Sequence, residues 1–212
     1  YSRAIQEHQD PQVYADLMVI KFKQILPALG VSYDINFVRT TDAHHVLAAQ
    51  AFWQTVNKNG YIYKKNYSVK YCVGCELEKT DSELVEGKCP LHPLQTLERR
   101  EEENYFFKFS AFQKQLLGLY DKTGSSGGNP SLPFVIPESR QKEIRAFVER
   151  GLEDFSISRL KSKMPWGIPV PGDETQVMYV WFDALVNYVS AIGWPDDVVA
   201  GKSSKGSFNI WA

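Results

Sequence analysis

Cysteine, histidine and methionine are all scarce in this chain: three, four and three among 212 residues. Three thiols cannot build the multi-disulfide framework that staples small secreted domains, and an odd count always leaves one over. Charge of one sign is missing too. Lys plus Arg number 24 against 25 Asp plus Glu, so the net charge is −1 and no general electrostatic grip on nucleic acid shows in the totals. No apolar run approaches the roughly 18 residues that a bilayer span requires, and no signal-peptide pattern opens the chain; no membrane partner is expected. There is no internal repeat. What the chain does have is 43% hydrophobic and 13% aromatic residues, enough for a folded core in one large domain or two small ones.

The rare residues are not scattered. Cys72-Val-Gly-Cys75 and Cys89-Pro-Leu-His92 gather all three cysteines and one histidine into 21 residues. Two pairs with two residues between partners suit a tetrahedral ion, each pair clasping it from a tight turn. Gly74 is expected to supply backbone angles that a larger residue resists, and Pro90 to stiffen the second turn. Four protein ligands leave no open position, which makes this a structural zinc site and not a catalytic one. Unrelated free thiols, a redox dithiol or an iron–sulfur centre fit less well, because the second pair supplies its own partners and includes a histidine. Thiols committed to a metal imply a reducing, cytoplasmic setting.

Along the chain, Asp10-Pro11 opens a helix whose face is Val13, Leu17, Ile20, Ile25 and Leu29, closed by Gly30 with Pro27 bending the last turn. Tyr33 to Arg39 reads as extended. Asp42 caps a second helix with Val46, Ala49, Trp53 and Val56 inward, and the adjacent His44 and His45 are expected to be solvated. Tyr61–Tyr63 and Tyr67–Tyr71 read as short strands. Glu98 to Glu103 reads as a solvated edge or loop. Ser110 with Gln113 makes a capping box, and residues 124–131 form a Gly/Ser-rich loop. Pro137 opens a helix carrying Ile144, Phe147, Val148 and Leu152. Trp166 to Pro171 is extended, Val177 to Trp181 a buried strand, and Asp183 the N-cap of a last helix stopped by Gly193 and Pro195.

Eight blocks in order resemble one family. They are Phe37-Val-Arg-Thr-Thr-Asp42, Gly60-Tyr-Ile-Tyr63, Tyr71-Cys-Val-Gly-Cys75, Glu103-Asn-Tyr-Phe-Phe107, Pro137-Glu-Ser-Arg140, Phe155-Ser-Ile-Ser-Arg159, Trp166-Gly-Ile-Pro-Val-Pro171 and Tyr179-Val-Trp-Phe-Asp-Ala184. Together they resemble the methionyl-tRNA synthetases, class I enzymes. The resemblance implies an α/β fold: a Rossmann-type parallel sheet domain, split by an inserted α+β connective domain that carries a zinc knuckle. Residues 1–36 would be the tail of the first Rossmann half. Residues 37–172 would be the insertion with its knuckle (65–95) and return helices, and 173–212 the start of the second half.

The same resemblance implies activation of methionine with ATP and Mg²⁺, then transfer of the acyl group to tRNA(Met). It places Trp181 and Tyr188 on the methionine side-chain pocket, where aromatic walls offer area and sulfur–ring contacts to a thioether. Leu185 stands where many relatives carry proline, which alters the pocket's shape. Arg159 matches an arginine near the methionine carboxylate and the ATP, a task suited to a planar, permanent charge. Asp183 is an N-cap that also lies within reach of substrate. Neither the His-Ile-Gly-His signature nor the Lys-Met-Ser-Lys-Ser loop of the class occurs here. Lys161-Ser-Lys-Met164 and Lys202-Ser-Ser-Lys205 have the wrong order and position. The chain therefore reads as an internal fragment that is inactive alone. Two rival readings are a class I synthetase for a branched aliphatic amino acid and a non-catalytic zinc module that binds RNA. Acidic residues around the knuckle (Glu76, Glu78, Asp81, Glu83, Glu86) offset its lysines and weigh against the second rival.

Overall fold

The computed structural model of the chain describes residues 2–31, 37–75, 77–79, 83–121 and 134–195. The expected loop at 124–131 and residues 33–36 of the expected extended stretch lie outside these. Two compact units emerge. One comprises Tyr1–Thr55 with Arg159–Ala212; the other is Val56–Ser158.

The second unit is built on a four-stranded antiparallel sheet. Its strands are β1 (Ile62–Cys72), β2 (Leu77–Lys79), β3 (Glu98–Phe107) and β4 (Phe155–Ser156), in the order β2-β1-β3-β4. The two strands expected at 61–63 and 67–71 are thus one long β1. It pairs with β3 from Ile62↔Phe107 to Tyr71↔Glu98. The acidic run expected at an edge lies in this inner strand. Alternation explains how: Glu102, Asn104 and Phe106 are buried while Glu101 and Glu103 face water. The Asn104 amide donates to Glu102 and to the Tyr67 hydroxyl oxygen, both at 3.0 Å. Phe107 sits among Phe112, Phe155 and Phe109, with ring centroids 5.4, 5.8 and 6.2 Å away.

Helices α4 (Gln113–Tyr120) and α5 (Glu138–Glu149) complete this unit. Pro137 is the N-cap of α5, and Val148 and Leu152 are buried, whereas Phe147 is exposed. The capping box at Ser110 does not form. A short 3₁₀ turn, Phe109–Phe112, precedes α4, and the Ser110 hydroxyl and N–H donate to Asp154 instead, at 2.6 and 3.1 Å. A carboxylate that also accepts from Tyr63 at 2.9 Å is the stronger acceptor.

The first unit opens with α1 (Ser2–Gln6) and α2 (Pro11–Ile25). The Asp10 carboxylate caps α2 by accepting from the N–H groups of Gln12 and Val13. Pro27 lies in a 3₁₀ turn, Leu26–Leu29, that ends on left-handed Gly30. The apolar face of α2 was expected inside, yet Val13, Leu17, Ile20, Ile25 and Leu29 are exposed. Helix α3 (Ala43–Lys58) buries Ala48, Ala49 and Trp53. Later in the chain come β5 (Ser158–Leu160), β6 (Pro169–Val170) and β7 (Asp173–Met178), in sheet order β5-β7-β6. Strands β6 and β7 are antiparallel. Short helices α6 (Val180–Ala184) and α7 (Asn187–Ser190) follow. No helix among the described residues is long and apolar enough to cross a membrane.

Candidate functional site

The knuckle forms where the sheet runs out. Tyr71 and Cys72 end β1 in register with Glu78 and Leu77, and residues 73–75 reverse the chain between them. Farther on, Val85 and Lys88 exchange two backbone hydrogen bonds of 3.0 Å around Glu86-Gly87. Both turn residues have positive φ, 51° and 74°, as a tight hairpin with the right-handed twist demands. That hairpin delivers Cys89, and a turn closed by the His92 N–H on the Cys89 carbonyl presents the imidazole.

The four predicted ligand atoms meet, all within 4.8 Å of one another. The Cys75 sulfur lies 3.4 Å from that of Cys89 and 3.2 Å from His92 Nδ1, which is 3.7 Å from Cys72 and 4.0 Å from Cys89. In a tetrahedron with metal–sulfur bonds of about 2.3 Å, sulfurs stand about 3.8 Å apart. The donor set therefore fits one four-coordinate ion. Burial pushes both Cys75 and Cys89 up. Bonds to Cys89 and Cys72 take Cys75 further, to about 11, whereas bonds with His92, Cys75 and the Leu91 backbone overcome burial at Cys89 and lower it to about 6. One thiol of the set is thus readily ionised, as a metal ligand must be.

Gly74 does not need unusual backbone angles; it is absent from the left-handed glycines of the chain. Space is the reason for it. A Cβ there would lie 2.5 Å from the His92 ring carbon Cδ2.

The other predicted residues lie on the first unit. The strand expected to reach Trp181 stops at Met178, and the backbone turns helical from Val180 with Tyr179 as N-cap. Trp181 is thus in a first helical turn and not at a strand end. Trp181, Leu185 and Tyr188 fall at i, i+4 and i+7, one stripe of a helical segment. They are 60%, 57% and 75% exposed. The opposite stripe, Phe182, Asp183, Val186 and Ser190, is buried. Phe182 packs between Phe52 and Trp53 of α3, with both centroids at 5.4 Å. Asp183 is not an N-cap. It lies inside α6, 5% exposed, its Oδ1 without a partner, and burial raises its carboxyl to about 7 although the Ala184 N–H works the other way. Arg159, on β5, stacks its guanidinium 4.2 Å from the centroid of the Tyr179 ring, one residue before α6.

A profile described as tRNA synthetases class I (M) matches residues 1–96 and 93–211, nearly the whole chain. The chain belongs to that family. A methionine–tRNA ligase of Thermosynechococcus vestitus is 43% identical over 92% of this chain and 35% of its own length. One from Streptomyces coelicolor is 41% identical over 88% of the chain. A chloroplastic/mitochondrial one from Arabidopsis thaliana is 40% identical over 87%. Mycobacterium tuberculosis methionyl-tRNA synthetase, solved with bound methionyl-adenylate, superposes with a TM-score of 0.79 at 34% identity. That match covers 98% of this chain and 38% of that one, so the chain spans about a third of the relatives' length. The mixed helix-and-sheet fold of a class I synthetase, expected from the sequence, is the fold of these neighbours, and the Cys₃His cluster of this chain is compatible with the expected zinc knuckle.

One residue of the synthetase chain escaped the sequence reading. His45 is 1% exposed, not solvated, and its Nδ1 stands 3.1 Å from the Ser190 hydroxyl. Nothing local announces this, since the partner lies 145 residues on. His44 Nε2 meets the Ser190 carbonyl at 3.1 Å.

Proposed function

We propose that this chain is the zinc-stabilised middle portion of a methionine–tRNA ligase. The intact enzyme activates methionine with ATP and Mg²⁺ to methionyl-adenylate, then transfers the methionyl group to tRNA(Met) in the cytoplasm. In that reading residues 1–36 end the first Rossmann half, 37–172 form the connective insertion, and 173–212 begin the second half.

The stripe of Trp181, Leu185 and Tyr188 is one wall of the methionine side-chain pocket. A wide, rigid, apolar surface left facing outward by a well-packed helical segment is what a thioether needs to be held by area and by sulfur–ring contacts. Arg159 holds the carboxylate end. Its charge is permanent and its plane is fixed by the Tyr179 face, so it orients an oxyanion without reorganising. Asp183 faces away from the stripe, and its buried carboxyl, raised to about 7, supports it from behind. Zn²⁺ at Cys72, Cys75, Cys89 and His92 is structural: four donors complete its shell, and what it supplies is a fixed fold for the insert.

The observation that carries this reading is the exposed indole–leucine–phenol stripe. Its test is methionine-dependent ATP–pyrophosphate exchange by the full-length polypeptide. Trp181→Ala is expected to raise KM for methionine at least tenfold, consistent with about 1–3 kcal/mol for such apolar contacts. Exchange that responds to leucine, isoleucine or valine in place of methionine would assign the branched-aliphatic rival. No exchange with any amino acid, together with tRNA binding, would assign the RNA-binding one.

A further inference from the structure

The stripe is only as well placed as the buried face behind it, and that face contains a polar contact which packing alone does not require. Phe182 and Val186 bury apolar area, but Ser190 brings a hydroxyl to the imidazole of His45, both side chains almost wholly enclosed. His45 stands near the start of α3, and Phe52 and Trp53, which hold Phe182, stand seven and eight residues further along the same helix in sequence. The helix α3 therefore grips the segment 180–190 at two points, through rings at Phe182 and through two hydrogen bonds at Ser190, between its hydroxyl and His45 and between its carbonyl and His44. Leu185 and Tyr188 lie between those points and Trp181 directly precedes the first, all on the outer side.

A hydrogen bond has a direction that an apolar contact lacks. Rings can slide over one another with little loss, so the aromatic contact fixes the segment's distance from α3 and not its rotation about its own axis. A helical residue turns through about 100°, so a rotation of a fraction of that moves an indole several ångströms. The hydroxyl–imidazole contact stops it.

We propose that His45 is a positioning residue for methionine, acting through Ser190 to hold the rotation of the segment that carries Trp181 and Tyr188. The inference rests on the ligase reading above. It adds a residue that touches neither substrate nor metal.

The test is steady-state ATP–pyrophosphate exchange by the full-length polypeptide and its His45→Ala, Ser190→Ala and His45→Asn variants. An asparagine amide falls near the imidazole Nδ1 and can meet Ser190. His45→Ala and Ser190→Ala are expected to raise KM for methionine about tenfold, with kcat and KM for ATP within about twofold. His45→Asn is expected to restore most of the lost affinity. Should His45→Ala fail to fold, Ser190→Ala, which deletes one oxygen, carries the comparison. An unchanged KM for methionine in folded Ser190→Ala overturns the inference. So does a fall in kcat alone that tracks the lost fraction of folded protein, because that is the mark of a purely structural contact. A wild-type polypeptide that shows no methionine-dependent exchange overturns the ligase reading itself, and this inference with it.

Discussion

Gly74 and His92 touch across the cysteine turn. A methyl group on the glycine would fall 2.5 Å from the imidazole Cδ2 and 2.6 Å from the Gln95 amide oxygen, well inside van der Waals contact. The glutamine can swing away. The histidine cannot, because its Nδ1 is held at 3.2 Å from Cys75 and 3.7 Å from Cys72. Gly74→Ala should therefore act on the metal and not on the backbone. We expect a loss of zinc affinity of about tenfold or more, in the range that disturbance of a ligand's support produces. Competition with a chromophoric chelator would measure it, and an affinity unchanged within twofold would refute the steric account.

Metal removal should have a local signature. Structural zinc in small peptides contributes on the order of 10–16 kcal/mol, and here it clasps one end of β1 only. Chelation, or Cys75→Ala, is expected to strip hydrogen-exchange protection from Lys70, Tyr71 and Cys72 and from β2, whose pairing ends at the turn. The other end of the β1–β3 ladder, Ile62↔Phe107 to Asn66↔Glu103, lies next to the aromatic cluster and should keep its protection. Uniform loss along the ladder would mean that the ion stabilises the whole sheet.

Asp154 accepts three hydrogen bonds, from Tyr63 at 2.9 Å and from the Ser110 hydroxyl and N–H at 2.6 and 3.1 Å. Burial alone would raise its carboxyl. The bonds from Ser110 and Tyr63 outweigh this and set it below the usual carboxylate range. Its contribution is therefore present above about pH 4, the unfolded value, and is lost as pH falls through the lowered folded value. Asp154→Ala should cost about 2–3 kcal/mol near neutral pH. The difference from wild type should shrink as urea melts are taken from pH 5 toward pH 2.

The ligase reading assigns phosphate chemistry to segments other than these 212 residues, because catalysis of adenylation is chiefly positioning and charge stabilisation around the triphosphate. The purified 212-residue chain is expected to show no pyrophosphate exchange above a no-enzyme control. Exchange that depends on methionine and is abolished by Trp181→Ala would show that the chain holds a complete site.

What could be read in advance was whatever depends on spacing within a short window. The two ligand pairs are local turns, and the structure brings their donors together. That Trp181, Leu185 and Tyr188 share a helical stripe was not legible, because Trp181 was expected at the end of a strand that in fact stops at Met178. What could not be read was whatever is decided by a distant partner. His45 beside His44 looks like a solvated helix start until Ser190 arrives from the other end of the chain. Ser110 has the pattern of a cap, but Asp154, 44 residues on, is the better acceptor. The face of α2 has the pattern of a core helix and is nevertheless exposed, because periodicity reports which side is apolar and not what covers it.

Asp183 offers a pH test of the buried face behind the stripe. Burial raises its carboxyl from an ordinary value near 3.8 to about 7, against a smaller opposing effect of the Ala184 N–H. The folded protein thus holds a proton that the unfolded chain releases once pH exceeds about 4. Stability from this group is full below that pH and declines as pH rises, until the folded carboxyl ionises near 7. Burial acts on His45 too, holding its imidazole below the usual histidine range, so it favours the fold at higher pH and opposes it as pH falls. Asp183→Asn removes the first dependence and leaves the second. The variant should be close to wild type at pH 4 and gain on it steadily to pH 7, by an upper bound of about 4 kcal/mol. Thermal melts of both proteins at half-unit intervals would measure the divergence, and parallel curves would mean that Asp183 is solvated and ionised throughout.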